Sequence, residues 1–187
     1  MRVLILLALA FLAATTSPAL AQARAAAIAE ERRAEQSIAA RFANVPQLTL
    51  AEFDRLRRDR TVILVDVREA DEYAISHLPG AIRVPPGASA EDAQRLIGQI
   101  PRGGAIVFYC TIGFRSSRLA DRVRTAYGGG AAPLIASLRG GLIAWVNDGR
   151  TLVNAAGTTS WIHPYDAQRR RMLIDPTRAQ GSLHGWP

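Results

Sequence analysis

Short β-branched runs separated by helix-sized stretches fill the middle of the chain, and this alternation constrains the fold more than any other feature. Residues 61–67 (TVILVDV) are too few for a helix and too apolar for an edge strand, so they read as a buried parallel strand. Residues 105–109 (AIVFY) read the same way, with shorter strands expected at 81–84 and 133–138. Between them lie helical patterns. Thr49-Leu50-Ala51-Glu52 is a capping box, and Phe53 and Leu56 supply the apolar face of the helix it opens. Ser89 caps a helix whose expected inner face is Ala93, Leu96, Ile97 and Ile100. Residues 116–126 set Leu119, Ala120 and Val123 on one face and stop at Gly128-Gly129-Gly130, and a last helix starts at Gly141. Strands alternating with helices from about residue 61 to 148 predict an α/β fold, a parallel sheet covered by helices on both faces.

The flanks of this region differ in kind. Residues 1–21 carry Met1 and Arg2, then twelve apolar residues from Val3 to Ala14, where a membrane span needs about twenty. Thr15 to Pro18 break the run, and Ala19-Leu20-Ala21 has the small-x-small pattern of a cleavage site. A signal peptide is expected, with a mature protein starting near Gln22 that is exported, to the bacterial periplasm, without stable membrane insertion. Residues 22–46 form an alanine-rich helical segment with Ala27, Ala34, Ile38 and Phe42 at helical spacing. The sequence does not say whether this helix packs on the domain or stands away from it. Residues 47–153 read as the globular domain, and 154–187 as a polar basic tail without periodicity, carrying Arg169-Arg170-Arg171.

Charge excludes some chemistry. All 23 basic residues are arginine, against 16 acids, for a net charge of +7. Without lysine the chain cannot be a P-loop, Schiff-base or pyridoxal phosphate enzyme. The arginines are spread along the chain with no recognition motif or aromatic interleaving, so no nucleic-acid partner is expected, nor a membrane surface. His77, His163 and His184 are widely spaced without ligand pairing, so neither a metal site nor a cofactor is expected. His77, between a helix and a Pro-Gly turn, reads as a hydrogen-bonded structural residue.

Cys110 is the only cysteine, so no internal disulfide can form, and a lone thiol in an oxidising compartment asks for a reason. A free cysteine is often a small buried hydrophobe. This one ends a strand, and the next helix begins within a few residues. In open α/β sheets that is where chemistry sits. Thr111, Ile112, Gly113, Phe114 and Arg115 are few enough to curl with their N–H groups inward, forming a nest that lowers a thiol pKa and draws anions. Gly113 permits the backbone angles of the curl, and Arg115 offers planar geometry for an oxyanion. Asp66 and Arg68 at another strand end read as an ion pair bracing the neighbouring loop.

Val65-Asp66-Val67-Arg68 with Glu72-Tyr73, His77-Leu78-Pro79-Gly80-Ala81, Tyr109-Cys110-Thr111-Ile112-Gly113-Phe114-Arg115-Ser116, and Leu138-Arg139-Gly140-Gly141 with Ala144-Trp145 occur in this order. Together they make residues 47–153 resemble the rhodanese domain family of sulfurtransferases. The resemblance implies a five-stranded parallel sheet, an active-site loop at Cys110 to Arg115, and a Cys110 that carries sulfane sulfur as a persulfide. It implies a small anionic sulfur donor such as thiosulfate and a thiol or cyanide acceptor. Thr111, Ile112 and Phe114 leave the loop less basic than thiosulfate would want, which keeps other persulfide donors open. Trp161-Ile162-His163-Pro164-Tyr165 resembles segments that follow some rhodanese domains, with no chemistry attached. Two other classes share parts of this design. Cysteine phosphatases and arsenate reductases set one more residue between Cys and Arg than the four here, and non-catalytic rhodanese-like modules often lose the cysteine. Oligomeric state is not legible.

Overall fold

The computed structural model describes residues 17–128 and 133–183. Its centre is a five-stranded sheet of β1 (Gln47–Leu48), β2 (Val62–Asp66), β3 (Ile82–Arg83), β4 (Ala105–Tyr109) and β5 (Leu134–Leu138), in the order β1-β5-β4-β2-β3. Every pairing in it is parallel. Side chains alternate across the sheet with the period of two that a strand imposes. Leu64, Val107 and Tyr109 enter one apolar cluster, while Val65, Ile106 and Phe108 enter the other. Cys110 continues the second row.

Helices cover both faces. The first face carries α2 (Leu50–Asp59) through Phe53 and α6 (Gly141–Asn147) through Leu142, Ile143, Trp145 and Val146. The second carries α4 (Ala90–Ile97) through Ala93 and Ile97 and α5 (Phe114–Tyr127) through Leu119, Ala120 and Val123. The short α3 (Ala70–Ile75) follows β2. The Thr49 capping box is present in full, with Glu52 N–H donating to Thr49 Oγ1 (3.2 Å) and Thr49 N–H to Glu52 Oε2 (2.8 Å). On α4 the expected inner face is corrected at Leu96, which is 51% exposed; Ala93 and Ile97 make the contact.

Both flanks pack on the domain. The first helix, α1 (Pro18–Arg41), starts earlier than the alanine-rich segment suggests, with Pro18 in the first turn, where a missing N–H costs nothing. Ala27 and Ile38 are buried, Ala34 packs on the first cluster, and Asn147 Nδ2–H donates to Glu31 Oε2 (2.9 Å). The expectation of a signal peptide falls mostly on residues 1–16, outside the described residues. Among those described, no helix is long and apolar enough to cross a membrane. The reading of a polar tail after residue 153 is corrected. Here β6 (Leu152–Asn154) and β7 (Gly157–Thr159) form a hairpin, and Ile162, Met172 and Leu173 are buried in the first cluster. Isolated apolar residues anchor this irregular segment, so no period announces it. The chain continues through α7 (Ala167–Arg170).

Candidate active site

Cys110 stands at the carboxyl end of β4, in the centre of the sheet, and is 1% exposed. The backbone then curls into α5 through Gly113, whose φ of +100° favours glycine. The curl turns its donors onto the sulfur: Gly113 N–H donates to Cys110 Sγ (3.2 Å), and Ser116 Oγ lies 3.7 Å away. Ser116 Oγ also bonds Gly113 O (3.0 Å) and Ser137 Oγ (2.9 Å), tying the loop to β5. Burial pushes the Cys110 thiol up. The Arg115 guanidinium and hydrogen bonds from Ser116 and the Ile112 N–H outweigh it, so the thiol lies below its ordinary value.

The loop is clamped from behind by α6. Leu142 N–H donates to Cys110 O (2.9 Å) and Ile143 N–H to Thr111 O (3.1 Å). This approach needs a glycine at 141, because a Cβ there would stand 2.2 Å from Cys110 O. Gly141 therefore holds the loop as much as it starts a helix.

Arg115 does not present a free fork to the pocket. Its Nη1 and Nη2 donate to Glu72 Oε2 (2.6 Å) and Oε1 (2.7 Å), and Nη2 also to Thr111 Oγ1 (3.0 Å). Thr111 Oγ1–H donates to Glu72 Oε1 (3.1 Å), and Glu69 N–H to Glu72 Oε2 (3.0 Å). Burial pushes the Glu72 carboxyl up, but the Arg115 bonds and charge dominate and hold it below its ordinary value. The expectation of Arg115 as a bidentate oxyanion clamp is thus corrected: its fork is committed to a fully buried carboxylate, and its positive charge reaches the sulfur from the pocket wall.

A pocket of about 300 Å³ opens over Cys110, with Thr111, Ile112, Phe114 and Arg115 on its walls. Tyr165, Arg118 and Arg169 complete the lining. Phe114 is braced by Phe42, just beyond α1, in an edge contact at 5.4 Å. A wider depression of about 470 Å³ lies at the opposite, amino end of the strands, among Arg60, Arg102 and Pro133, with no nucleophile.

Residues 49–148 match the family model of the Rhodanese-like domain. The chain belongs to the rhodanese family. It is 36% identical over 100 residues to the thiosulfate:glutathione sulfurtransferase of Saccharomyces cerevisiae, covering 46% of this chain and 70% of that protein. It is 32% identical over 108 residues to a sulfurtransferase of Allochromatium vinosum, covering 55% of this chain and 89% of that one. The solved thiosulfate sulfurtransferase of Pseudomonas aeruginosa shares the fold, with a TM-score of 0.51 at 21% identity over 78% of this chain and 26% of its own.

Within this rhodanese domain, Asp66 and Arg68 lie off the pocket. Arg68 Nε donates to Asp66 Oδ1 (2.9 Å) and Nη2 to Asp66 Oδ2 (2.7 Å), and Nη2 also reaches Ser76 O, pinning the end of α3 to β2. Both side chains are fully buried. His77 stacks on Tyr73 (3.8 Å between ring centroids) and its Nδ1 faces Tyr73 O (3.0 Å), also away from the sulfur. Sequence reasoning missed Glu72, Ser116 and Ser137 as partners of the loop, and Tyr165, Arg118 and Arg169 as lining. Glu72 and Ser116 stand inside the motifs that carry the family resemblance, so only their roles were hidden. Tyr165 and Arg169 lie beyond residue 148, and although residues 161–165 and the Arg169-Arg170-Arg171 run stand out in the sequence, neither points to the pocket.

Proposed function

We propose that this protein is an exported sulfurtransferase that carries sulfane sulfur on Cys110 between an anionic donor and a thiol or cyanide. The observation that carries the reading is the sulfur itself: a thiol at a strand end, at the floor of a pocket, facing loop N–H groups and pushed below its ordinary pKa. A Cys110 thiolate attacks the outer sulfur of the donor. The bond between that sulfur and the rest of the donor breaks, and the electron pair leaves with the remainder, as sulfite if the donor is thiosulfate. A second nucleophile then attacks the outer sulfur of the persulfide, and the S–S electron pair returns to Cys110. The Gly113, Ser116 and Ile112 N–H groups that hold the thiolate stabilise the same charge each time it reappears.

The names of the yeast and Allochromatium relatives favour this reading over a binding module, as does the retained cysteine. The phosphatase alternative needs an arginine free to grip a tetrahedral oxyanion, and here Glu72 holds it. Initial rates with thiosulfate, mercaptopyruvate and a protein persulfide, each against cyanide and a thiol, test the proposal. Parallel double-reciprocal lines with at least one donor are expected, and no turnover with any pair overturns it. Export is tested by N-terminal sequencing of protein from the cell envelope: a start near Gln22 is expected, and an intact Met1 in the membrane pellet overturns it.

A further inference from the structure

The segment after the hairpin reaches back over the pocket. Tyr165 adopts φ +76°, a left-handed conformation that costs a bulky residue about 1–2 kcal/mol and persists only where its surroundings fix it. What fixes it is on either side. Tyr165 N–H donates to Nδ1 of the buried His163 (3.0 Å), whose Nε2–H is left to donate to Ser182 O (2.8 Å). The guanidinium carbons of Arg115 and Arg169 lie over the Tyr165 ring, 4.5 and 4.9 Å from its centroid. A strained backbone thus holds an aromatic ring as a wall of the Cys110 pocket.

The charges of that pocket are unequal. Arg115 is matched by Glu72, and Arg169 is paired with Asp166. Arg118, one helical turn from Arg115 on α5, also lines the pocket. Arg118 is exposed, and among the described residues its guanidinium has no ion-pair or hydrogen-bond partner. The formal balance at the rim is therefore one uncompensated cation, carried by Arg118. The remaining walls, Ile112, Phe114 and the Tyr165 ring, are carbon surfaces. At about 300 Å³ the space stands at the small end of pockets that enclose organic ligands, roughly 300–1,000 Å³. An inorganic anion of a few atoms would leave those walls against water.

We propose that Arg118 anchors the carboxylate of a small organic sulfur compound whose carbon body lies against Tyr165 and whose sulfur reaches Cys110. The inference rests on Cys110 as the reacting thiol of the proposed transfer. One ligand chemistry, a carboxylate a few bonds from sulfur, serves for either an organic donor or a thiol acceptor.

Two measurements test it. The first needs no sulfur transfer: the only thiol is alkylated with iodoacetate and with iodoacetamide, and adducts are followed by intact mass. Both reagents need the thiolate, so the ratio of their rates cancels changes in Cys110 pKa and reports the anion site. Arg118→Gln is expected to lower the iodoacetate-to-iodoacetamide ratio by up to about fivefold, the upper end for one exposed ion pair. Arg102→Gln, which removes the same charge at the amino end of the strands, should leave the ratio unchanged. Tyr165→Ala should erode the preference for iodoacetate less than Arg118→Gln does. An equal ratio in wild type and Arg118→Gln, or an equal fall in Arg102→Gln, overturns the anchor.

The second measurement assigns the source. Persulfidated protein is discharged with 3-mercaptopropionate or 2-mercaptoethanol, and free protein is charged with mercaptopyruvate or thiosulfate. An Arg118-dependent preference for 3-mercaptopropionate assigns the acceptor, and one for mercaptopyruvate assigns the donor. A preference for neither overturns the organic carboxylate even if the alkylation ratio shifts. If no donor charges Cys110 while that ratio still depends on Arg118, the transfer reading falls and the anion anchor stands.

Discussion

Arg115→Ala separates a cation that merely meets the donor from one that holds the site together. The substitution removes both guanidinium bonds to Glu72, at 2.6 and 2.7 Å, and leaves a carboxylate that is fully buried. Taking one partner from a buried pair costs about 3–5 kcal/mol. Glu72 keeps the Thr111 hydroxyl (3.1 Å) and the Glu69 N–H (3.0 Å), and the Arg115 side chain is itself 15% exposed, so the low end applies, about 3 kcal/mol. At roughly 2–4 °C per kcal/mol for a domain of this length, Tm falls by about 6–12 °C at neutral pH. Because the folded Glu72 value is lowered, its contribution is present above the ordinary value of 4.5 and is lost as pH falls through the folded one. The Tm gap between wild type and variant therefore narrows under acid. The same substitution removes the charge that lowers the Cys110 thiol, so the pH profile of iodoacetamide alkylation moves upward. In an Arg115→Ala, Glu72→Gln double variant the loss should be smaller than the sum of the singles. A neutral-pH Tm within about 2 °C of wild type, with an unmoved alkylation profile, would refute the brace.

Two further substitutions probe how the loop and the first helix are held. Gly141→Ala places a Cβ 2.2 Å from Cys110 O and should lower Tm by about 10 °C or more, with loss of thiol reactivity; a variant of wild-type Tm would show that the α6 clamp is loose. Burial against the domain raises the Glu35 carboxyl despite the nearby Arg139 and Arg32. A raised folded value means stability that is full below the ordinary 4.5 and lost as pH rises through the folded value, so Glu35→Gln should raise Tm at neutral pH and change little under acid. Thermal melts across pH read this directly, and a gain at low pH alone would reverse the assignment.

Much of the sheet was legible because its signals are local. Residues 61–67 and 105–109 declare buried strands by composition, and the Thr49–Glu52 box fixes the start of α2 within one turn. The edge strand β1 was not legible in this way, since Gln47–Leu48 is two residues long and offers no period. Cys110 stood out because a strand end, a short glycine-containing loop and a helix start are consecutive in the chain. The partner of Arg115 did not, because Glu72 is brought to it across 43 residues by the packing of α3 beside the loop. The sequence suggested a cation aimed at substrate where the fold uses it against a buried acid. Tyr165 is harder still: neither its left-handed backbone nor its place over the pocket has a sequence signature, and the residues that fix it, His163 and Ser182, lie in a stretch that reads as polar tail.

The central claim is that Cys110 carries the sulfur, and intact mass spectrometry after incubation with a sulfane donor tests it most directly. Wild-type protein is expected to gain about 32 Da, one sulfur atom, and to lose it on adding cyanide or a reducing thiol. Cys110→Ser keeps the loop and its N–H donors but offers a hydroxyl that stays protonated near neutral pH, so it should fold as wild type and gain nothing. An adduct on Cys110→Ser, or wild-type protein that no donor converts, would contradict the claim.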